Sequence, residues 1–544
     1  MRHGNLLSFG VLTAVGMVLS VELRYELTWD FLHYHYYNGF AFVYDRLGYD
    51  IAPAAINTYF NPLLDALTFL AVNAFNDKPN LYYALTGIPF GLLLFVVFKI
   101  NLLFFKNILP ASIALLIAAT GFATWFQIGT STNEMPVALL VLSALYMMLT
   151  DKKTTLAAFI LGAAMGLKST AGIYCLSSGI VFATFNRKQP KRVCAFAAAG
   201  LAGFLATNGF WMLKLYSLFQ NPFFPFFNAL FNSPFFDNVN YSFRTIFKDR
   251  TFAEAFFLPF KFVGHFDTSY AANTSFSDIR WAAAFVLTAA YLPFVKRRPL
   301  DKQTAFLASW AFLSYLIWLF GFSVIRYLIP VEVILPVFFL KTAGALKPKS
   351  PHLLKEAVSF SFFIVFTAAC CLTPIFSIPW GNRKEWNKVF DTPDFLLPKK
   401  ALVAGINNPN GAYLARIAEK NPSIRLVSLF RAQEKSDAVN PWYFTEKNLL
   451  SQKVRELVSS GTTAYVITTQ VPINARPKGF VCRETGGIYA ARRDTPETSF
   501  EVFEKKFKRM PFFQLFCVSE TLNAFLTPWG LDVGIQSPVF EDDL

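Results

Sequence analysis

Long apolar runs alternate with short polar segments along the first two thirds of the chain. Between residues 6 and 376 these runs are long enough, and poor enough in charge, to indicate membrane-spanning helices. The segment Leu63–Phe75 is too short for a span and carries Asp65 and Asn73, so it is expected to be an amphipathic helix on the membrane surface. The pattern predicts about eleven spans: 6–23, 81–105, 108–126, 134–150, 155–168, 171–186, 193–213, 280–295, 303–321, 327–343 and 354–376.

The pattern changes after residue 376, where ordinary polarity returns. Short apolar runs typical of strands alternate there with helical runs, which favours a small α/β domain with some parallel strand pairing. The strand-like runs are Ala401–Gly405, Arg425–Leu429 and Ala464–Thr468, and the helical runs are Gly411–Lys420 and Leu449–Ser459. The sequence thus predicts an all-α polytopic membrane domain over 1–376 and a soluble α/β domain over 377–544. The latter lacks G-x-G-x-x-G and P-loop motifs, which favours a lid or docking module over a second enzyme.

Composition and charge agree with a membrane protein. The chain is 54% hydrophobic and 16% charged, whereas about a quarter of the residues of a soluble protein are charged. The net charge of +15 comes from basic residues scattered over short loops, which is typical of cytoplasmic loops and not of one nucleic-acid-binding face. The basic clusters are Lys152–Lys153, Arg187–Lys188, Lys191–Arg192, Lys296–Arg298, and Lys341 with Lys347 and Lys349. With these loops inside, the protein is expected in the plasma membrane, with residues 24–80 and the C-terminal domain outside.

The segment Trp29–Pro62 is the best candidate for an active site, because it follows the first span and is rich in Asp, His and Tyr. Asp30 is expected to be partly desolvated between Trp29 and Phe31, which raises its pKa and suits a general base. The alternative is that Asp30 caps a helix. His33 falls on the helical face of Asp30 and could orient it or contact a phosphate, whereas an interfacial histidine without a ligand is equally compatible. A metal site needs more ligands than the two histidines His33 and His35, so no metal site built from histidines is predicted.

Three further charged residues lie near the outer ends of predicted spans. Glu134 follows the polar stretch Thr130–Asn133, where a helix cap explains the threonine and asparagine, and Glu134 is a candidate second carboxylate opposite Asp30. Lys168 and Arg326 are cations on the side where the charge rule least expects them. Both suit a lipid phosphate, which arginine grips with two donors, while snorkelling to the headgroups is the alternative.

Two features of the outer segments have open interpretations. The loop Gln220–Phe236 is rich in Phe and Pro, which fits a groove or lid for a lipid chain and equally an interfacial anchor. Cys482 and Cys517 lie in the C-terminal domain, and the sequence leaves open whether they pair.

Several motifs resemble the GT-C superfamily of integral-membrane glycosyltransferases. The resemblance is to the dolichyl-phosphate-mannose mannosyltransferase and aminoarabinose transferase group and to bacterial polyprenol-phosphate-mannose transferases. It rests on Trp29–Asp30, YFNPLLDALTFL (Tyr59–Leu70), TSTNEMPVALLVLSAL, GLKSTAG, NPFFPFFN and IRYLIPVEVILP. These motifs are spread over residues 1–345, so the C-terminal domain lies outside the resemblance.

The resemblance implies inverting transfer of a sugar from a polyprenyl-phosphate donor to an acceptor on the outer face of the membrane. Asp30 would be the catalytic base, Glu134 a second catalytic carboxylate, and His33, Lys168, Arg326 and Tyr59 substrate-binding residues. Many relatives carry paired acids in the first loop, whereas Trp29–Asp30 gives this chain one acid at that place, which puts a metal-bridging pair in doubt and leaves a divalent cation open. The resemblance requires no nucleotide, and the sequence does not specify the sugar or the acceptor.

Two other functions are compatible with the sequence. A polysaccharide polymerase or ligase acting on lipid-linked glycans would depend on Arg244, Arg250 and His265 in the long outer loop. A flippase or transporter of lipid-linked sugars would show internal repeats and ionisable residues at mid-membrane. No repeat is evident in the sequence.

Overall fold

The structure is a computed structural model of the chain. It describes residues 2–23, 28–238, 240, 251–264, 277–291, 300–321, 323–346, 365–372, 389–390, 401–405, 411–428, 449–459, 463–468, 484–488 and 513–518. These residues form two compact units, each drawn from three parts of the chain. Unit one comprises Met1–Tyr25, Tyr83–Thr207 and Phe243–Lys384, and unit two comprises Glu26–Tyr82, Asn208–Ser242 and Glu385–Leu544. The domain boundary at residue 377 stays a prediction.

Unit one is helical in its described part. It contains residues 83–104 of the helix Pro79–Phe104 and residues 190–207 of the helix Pro190–Phe219. The others are Arg2–Leu23, Ile108–Ala119, Phe122–Phe126, Glu134–Leu149, Thr154–Leu167, Gly172–Phe185, Phe252–Phe256, Leu258–Lys261, Arg280–Tyr291, Lys302–Phe320, Ile329–Glu332, Leu335–Leu346 and a helical stretch over 365–372, with 3₁₀ turns at Ser169–Ala171 and Ile325–Leu328.

The prediction of a polytopic helical domain is confirmed, since every predicted span contains helix in its described residues. By length and composition, four described helices can cross a membrane: Asn5–Leu23, Pro79–Phe104, Pro190–Phe219 and Lys302–Phe320. The predicted span 108–126 is interrupted at Thr120–Gly121, and the span 327–343 is interrupted at Val333–Ile334. Hydropathy did not reveal these interruptions, because the residues on both sides of each are apolar.

Glycines bring two helices of unit one into backbone contact. A Cβ atom on Gly16 would lie 2.6 Å from the carbonyl oxygen of Gly87 and 2.6 Å from the amide nitrogen of Gly91. Such close approach is typical of membrane helices, because association in lipid depends on packing rather than on the hydrophobic effect. The first helix is therefore held against Pro79–Phe104 by van der Waals contact over its small residues.

Unit two combines helices with one mixed sheet. Its described helices are Tyr36–Val43, Leu63–Phe75, Asn228–Phe231, Gly411–Lys420 and Leu449–Ser459, together with a π-helix over Phe31–His35 and a 3₁₀ helix over Ala55–Tyr59. The strands are β1 (Ala401–Gly405), β2 (Arg425–Ser428), β3 (Thr463–Thr468), β4 (Glu484–Ile488) and β5 (Phe513–Val518).

The sheet confirms the predicted α/β character of the C-terminal region. Its strand order is β2-β1-β3-β5-β4. Strand β1 pairs in parallel with both β2 and β3, with Leu402 opposite Arg425 and Ala401 opposite Thr463. Strand β5 runs antiparallel to β3 and β4. The helix Gly411–Lys420 connects β1 to β2, as a parallel pair requires.

A buried ion pair joins the segment after the first span to this sheet. The Arg46 guanidinium donates to both carboxylate oxygens of Asp50, at 2.6 and 2.8 Å, and also to the carbonyl oxygens of Pro422 and Ile424. The amide of Leu426 donates to Asp50 Oδ1 at 3.0 Å. Burial raises the pKa of Asp50, against the opposing effect of Arg46. Asp50 thus has a structural role that its position in a turn-like, polar stretch did not reveal.

Replacing Arg46 with Leu should strongly destabilise unit two. The substitution leaves the buried Asp50 carboxylate without its counter-charge, which typically costs about 3–5 kcal/mol of unfolding free energy. Thermal and chemical denaturation of the purified protein in detergent measures the loss. Lys214→Leu is the matched control, since Lys214 pairs with Asp45 at 2.9 Å on the surface and such pairs contribute about 0–1 kcal/mol. Equal losses in the two variants would contradict a structural role for Arg46.

Candidate functional site

The turn that carries Asp30 in unit two begins at Thr28. Thr28 Oγ1 accepts a hydrogen bond from the amide of Phe31 at 3.1 Å. Asp30 has helical backbone angles (φ −64°, ψ −42°), and its side chain makes no capping hydrogen bond. The alternative that Asp30 caps the helix is therefore wrong, since Thr28 has that role. The Asp30 side chain is buried, with 7% of the residue exposed.

A π-helix over Phe31–His35 places His33 in a fully buried position. Its ring lies against Trp29, with 4.4 Å between the ring centroids. Burial lowers the pKa of His33 to about 3, although the charge of Asp30 acts in the opposite direction. His33 is therefore neutral at pH 7, which favours a hydrogen-bonding role and weakens the interpretation that it attracts a phosphate by charge. π-Helical turns occur frequently at functional sites.

His35 connects this turn to the helix Leu63–Phe75. His35 Nδ1 lies 2.6 Å from Asp65 Oδ1, and both residues are buried. A Cβ atom on Gly39 would lie 2.3 Å from the carbonyl oxygen of Asp65, so a glycine is needed where the two helices cross. Asp65 was expected on a membrane-surface helix. The signal for its actual role is an acid within an apolar helix, which needs a partner when buried.

The C-terminal region contacts the same turn. A Cβ atom on Gly411 would lie 2.0 Å from the carbonyl oxygen of His33, so the helix Gly411–Lys420 begins directly on the backbone of the π-helix. Next to it, Tyr36 donates to Glu419 at 2.8 Å, and Arg416 donates to the other oxygen of Glu419 at 2.9 Å. The backbone of the Asp30–His33 turn is thus supported by residues nearly four hundred positions later in the sequence.

Tyr59 lies in the hydrophobic core of unit two. Its ring packs edge-on against Phe219 and Phe224, at centroid distances of 5.2 and 4.7 Å, and its carbonyl accepts from the Trp211 indole at 2.9 Å. Burial raises the pKa of the Tyr59 hydroxyl. These contacts explain Tyr59 as a packing residue, and its predicted role in substrate binding stays a prediction.

Unit one brings three of the predicted site residues together. Glu134 Oε1 lies 2.7 Å from Lys168 Nζ and 3.2 Å from Arg326 Nε. The Glu134 side chain is 4% exposed, while those of Lys168 and Arg326 are 14% and 17% exposed. Both cations also face the ring of Tyr327, at 5.9 and 5.6 Å from its centroid. Two partly accessible cations therefore share one buried carboxylate, which leaves a local excess of positive charge.

Glu134, Lys168 and Arg326 lie where regular α-helix begins or ends. Glu134 is the first residue of its helix and follows Asn133, whose φ of 68° ends the preceding turn. Lys168 follows the last residue of the helix Thr154–Leu167, and Arg326 lies in a 3₁₀ turn. Asn133 does not cap the helix with its side chain, contrary to one sequence-based interpretation. All three charged groups thus stand at helix ends, where the chain is free to turn toward a ligand.

Gln127 extends this cluster and was not predicted. The hydroxyls of Thr130 and Thr132 both donate to Gln127 Oε1, and the carbonyl of Thr132 accepts from Lys168 Nζ. Gln127 is 1% exposed, and its Nε2 has no hydrogen-bond partner among the described residues. Glu134 Oε2 is likewise buried without a partner in that part of the chain. An amide residue at the start of the polar segment before Glu134 is the only sequence signal that pointed to Gln127.

A second charged network in unit one was also missed. Arg280 is fully buried, lies 2.8 Å from Asp278 and donates to the carbonyls of Ile117 and Thr120. Glu332 is fully buried and accepts from the backbone amides of residues 123 and 124 and from the Thr124 hydroxyl. The hydrogen bonds of Arg280 and Glu332 to the backbone favour a structural role for both residues. The sequence signal was present as charged residues within apolar runs.

The six predicted site residues therefore fall into two groups. Glu134, Lys168 and Arg326 form one cluster in unit one, while Asp30, His33 and Tyr59 belong to unit two. The residues Arg244, Arg250, His265 and Cys482 lie outside the described residues. Within the described ranges, no group of three or more His, Cys, Asp or Glu residues could hold a metal ion.

Comparisons with known proteins give structural likeness without a sequence match. No family model matches the chain, and no curated protein matches it. ArnT from Cupriavidus metallidurans matches at 13% identity in two structures, which cover 86% of this chain. For the structure bound to undecaprenyl phosphate, the TM-score is 0.45 and the match covers 94% of that chain. For the apo structure, the TM-score is 0.47 and the match covers 93% of that chain. An Archaeoglobus fulgidus oligosaccharyltransferase tethered to an acceptor peptide matches with a TM-score of 0.43 and 13% identity, over 84% of this chain and 68% of that one.

At 13% identity the likeness assigns no role to any individual residue. The chemistry of each group of residues therefore rests on its own contacts.

Replacing Glu134 with Gln should tighten the binding of a polyprenyl monophosphate by about tenfold, or about 1.4 kcal/mol. The change keeps an acceptor for Lys168 but removes the negative charge that competes with the ligand. Titration of the purified protein in detergent measures the affinity, and high salt should reduce the difference.

Glu419→Gln is the matched control, because Glu419 pairs with an arginine in unit two and its charge should not affect the ligand. Weaker binding by Glu134→Gln would mean that the cations need the carboxylate in order to keep their positions. Tighter binding together with lost turnover would support the predicted catalytic role of Glu134.

Proposed function

We propose that the protein is a membrane glycosyltransferase that moves a sugar from a polyprenyl-phosphate donor to an acceptor at the outer face of the membrane. The observation that carries the proposal is the cluster in which Glu134 lies between Lys168 and Arg326. An excess of positive charge at partly accessible helix ends suits a phosphate group, and charge-assisted hydrogen bonds to phosphate are among the strongest in proteins. The apolar helices of the chain suit a donor with a long lipid tail.

The donor phosphate is assigned to the two cations and to Gln127. Arg326 offers a planar pair of donors, and Lys168 offers a point charge. The unused Nε2 of Gln127 supplies a neutral donor, and binding a phosphate oxygen would satisfy a buried group that otherwise costs free energy. Glu134 holds Lys168 and Arg326 close together in the absence of the ligand.

Proton removal is assigned to Asp30. The acceptor hydroxyl gives its proton to the Asp30 carboxylate while its oxygen forms a bond to the anomeric carbon. The bond from that carbon to the phosphate oxygen breaks, and the polyprenyl phosphate leaves with the electron pair, so the configuration at the carbon inverts. His33 lies close enough to Asp30 for the Asp30 charge to act on it, and the cations stabilise the charge that develops on the leaving phosphate.

The location of the protein follows from its charge pattern. Basic residues in the short loops favour a multi-pass protein of the plasma membrane, with the C-terminal region on the extracytoplasmic side. The donor would then be reached from the membrane and the acceptor from outside. The sugar and the acceptor are left open.

Binding of undecaprenyl phosphate to the purified protein tests the phosphate site, with uncharged undecaprenol as the comparison ligand. Lys168→Ala and Arg326→Ala should each weaken binding of the phosphate by about tenfold or more, since each removes a charge-assisted contact. Arg326→Lys should not restore it fully, because lysine cannot offer paired donors.

Lys341→Ala is the control, because Lys341 forms an ion pair with Asp301 at 2.8 Å elsewhere in unit one. Snorkelling cations would leave the affinity unchanged in every variant. That result would remove the phosphate site and with it the main support for the proposal.

Asp30→Asn should keep donor binding but lower turnover by about 10²–10⁴-fold, as expected when a general base is lost. The asparagine has nearly the same volume, and Thr28 still caps the helix, so folding should survive. Turnover is measured with the polyprenyl-phosphate sugar that copurifies with the protein, identified by mass spectrometry. Asp45→Asn, at an exposed acid in the same unit, is the control. Normal turnover in Asp30→Asn would exclude Asp30 as the base, and a flippase would show this result.

A further inference from the structure

The segment 220–236 in unit two, here called the Phe-rich loop, directly follows the helix Pro190–Phe219 and contains no charged residue. It has three prolines and a short helix, Asn228–Phe231, so its fold does not depend on a regular hydrogen-bond ladder. The backbone polar groups of such a loop must find other partners if they are removed from water.

Two buried asparagines supply those partners. Asn228 Nδ2 donates to the carbonyls of Ser233 and Phe236, at 3.0 and 2.9 Å, and Asn228 Oδ1 accepts from the amide of Ser233. Asn221 Nδ2 donates to the carbonyl of Phe226 at 2.9 Å, and its Oδ1 accepts from the amide of residue 223. Both asparagines are fully buried. The loop therefore has a polar, hydrogen-bonded interior.

The inner side of the loop is fixed to the core of unit two. Phe224 is 1% exposed and stacks on Phe219, with 4.5 Å between the ring centroids and 13° between their planes. It also packs against Tyr59. These contacts order the loop without using its outer side chains.

The outer side is exposed and is apolar apart from Asn232. Phe227 is 56% exposed and Leu230 is 72% exposed. The last turns of the preceding helix, within the same unit, expose Leu213 and Tyr216 to a similar extent. Amides inside and phenyl and leucyl groups outside are the reverse of the arrangement that water favours. An uncharged apolar surface that continues from a membrane-spanning helix fits a lipid environment.

We propose that the tip of the Phe-rich loop inserts into the lipid bilayer and anchors unit two to the membrane. The occupant of the exposed surface is phospholipid, because the Phe-rich loop contains no charged residue that would attract a protein or nucleic-acid partner, and Leu213 and Tyr216 extend its apolar surface along the preceding helix. The buried asparagines allow the insertion, since they satisfy the backbone groups that lipid cannot. The inference does not depend on the proposed reaction.

Photocrosslinking of the full chain in vesicles of phosphatidylethanolamine and phosphatidylglycerol tests the insertion. p-Benzoylphenylalanine is placed in turn at positions 227, 230 and 423, and the adducts are identified by mass spectrometry. Position 423 is the control, because Ser423 is exposed in a turn that contacts Tyr49 through its carbonyl. We expect phospholipid adducts at 227 and 230, with a yield at least about tenfold above that at 423.

Asn228→Leu serves as the second variant, since it removes the interior hydrogen bonds but keeps the outer side chains. Asn228→Leu should lower the yield of phospholipid adducts at position 227, because the loop loses the hydrogen bonds that fix its conformation. Adducts at 227 and 230 to a second copy of the chain, adducts to a polyprenyl lipid alone, or a yield no higher than at 423 would each overturn the proposal.

Discussion

The pairing of buried charge is the constraint on which unit one depends. Arg280 has no exposed surface, and a guanidinium in such a place is tolerated only with a counter-charge and hydrogen-bond acceptors nearby. Asp278 and backbone carbonyls at the end of the helix Ile108–Ala119 provide them. The Glu332 carboxylate accepts hydrogen bonds from the backbone amides of residues 123 and 124, at the start of the helix Phe122–Phe126. The interruption between these two helices is thereby stabilised from distant parts of the chain. A Cβ atom on Gly121 would lie 2.1 Å from Glu332 Oε2, so only glycine fits the interruption.

The pairing of buried charge also binds the C-terminal region to the rest of unit two. Arg46 and Asp50 are buried together and bind the backbone around strand β2. The amide of Ile51 then donates to the carbonyl of Leu426, so the segment after the first span adds a bridge to the sheet. With Gly411 lying on His33, the C-terminal region supports the backbone of the turn that carries Asp30. The interpretation of this region as a lid or docking module stays a prediction, and the contacts show that the region supports the backbone next to Asp30.

The sequence predicted the elements whose causes are local. Hydropathy predicted helix in every span, and alternation of short runs predicted strands β1, β2 and β3. It did not predict β4 and β5. The break in the span 108–126 was missed because its cause includes Glu332, more than two hundred residues away. Asp65, Arg46 and Gln127 were missed as partners for the same reason, since burial and pairing depend on the tertiary fold. Lys168 and Arg326 were found because they violate a charge rule that needs no structure, and the structure places them on one carboxylate.

The charge balance of the Glu134 cluster fits the proposed reaction in a specific way. Two cations and one carboxylate leave a net charge of about +1, which matches the single negative charge of a polyprenyl-phosphate sugar, a phosphodiester. As the bond to the sugar breaks, a second negative charge develops on the phosphate, and the attraction to Lys168 and Arg326 grows. An interaction that is stronger in the transition state than with the bound donor lowers the barrier instead of only tightening binding. Two cations without Glu134 would already hold the donor tightly, so a larger share of the attraction would be present before reaction. In the proposed reaction, the carboxylate would therefore shift the electrostatic stabilisation toward the step in which the leaving phosphate gains charge.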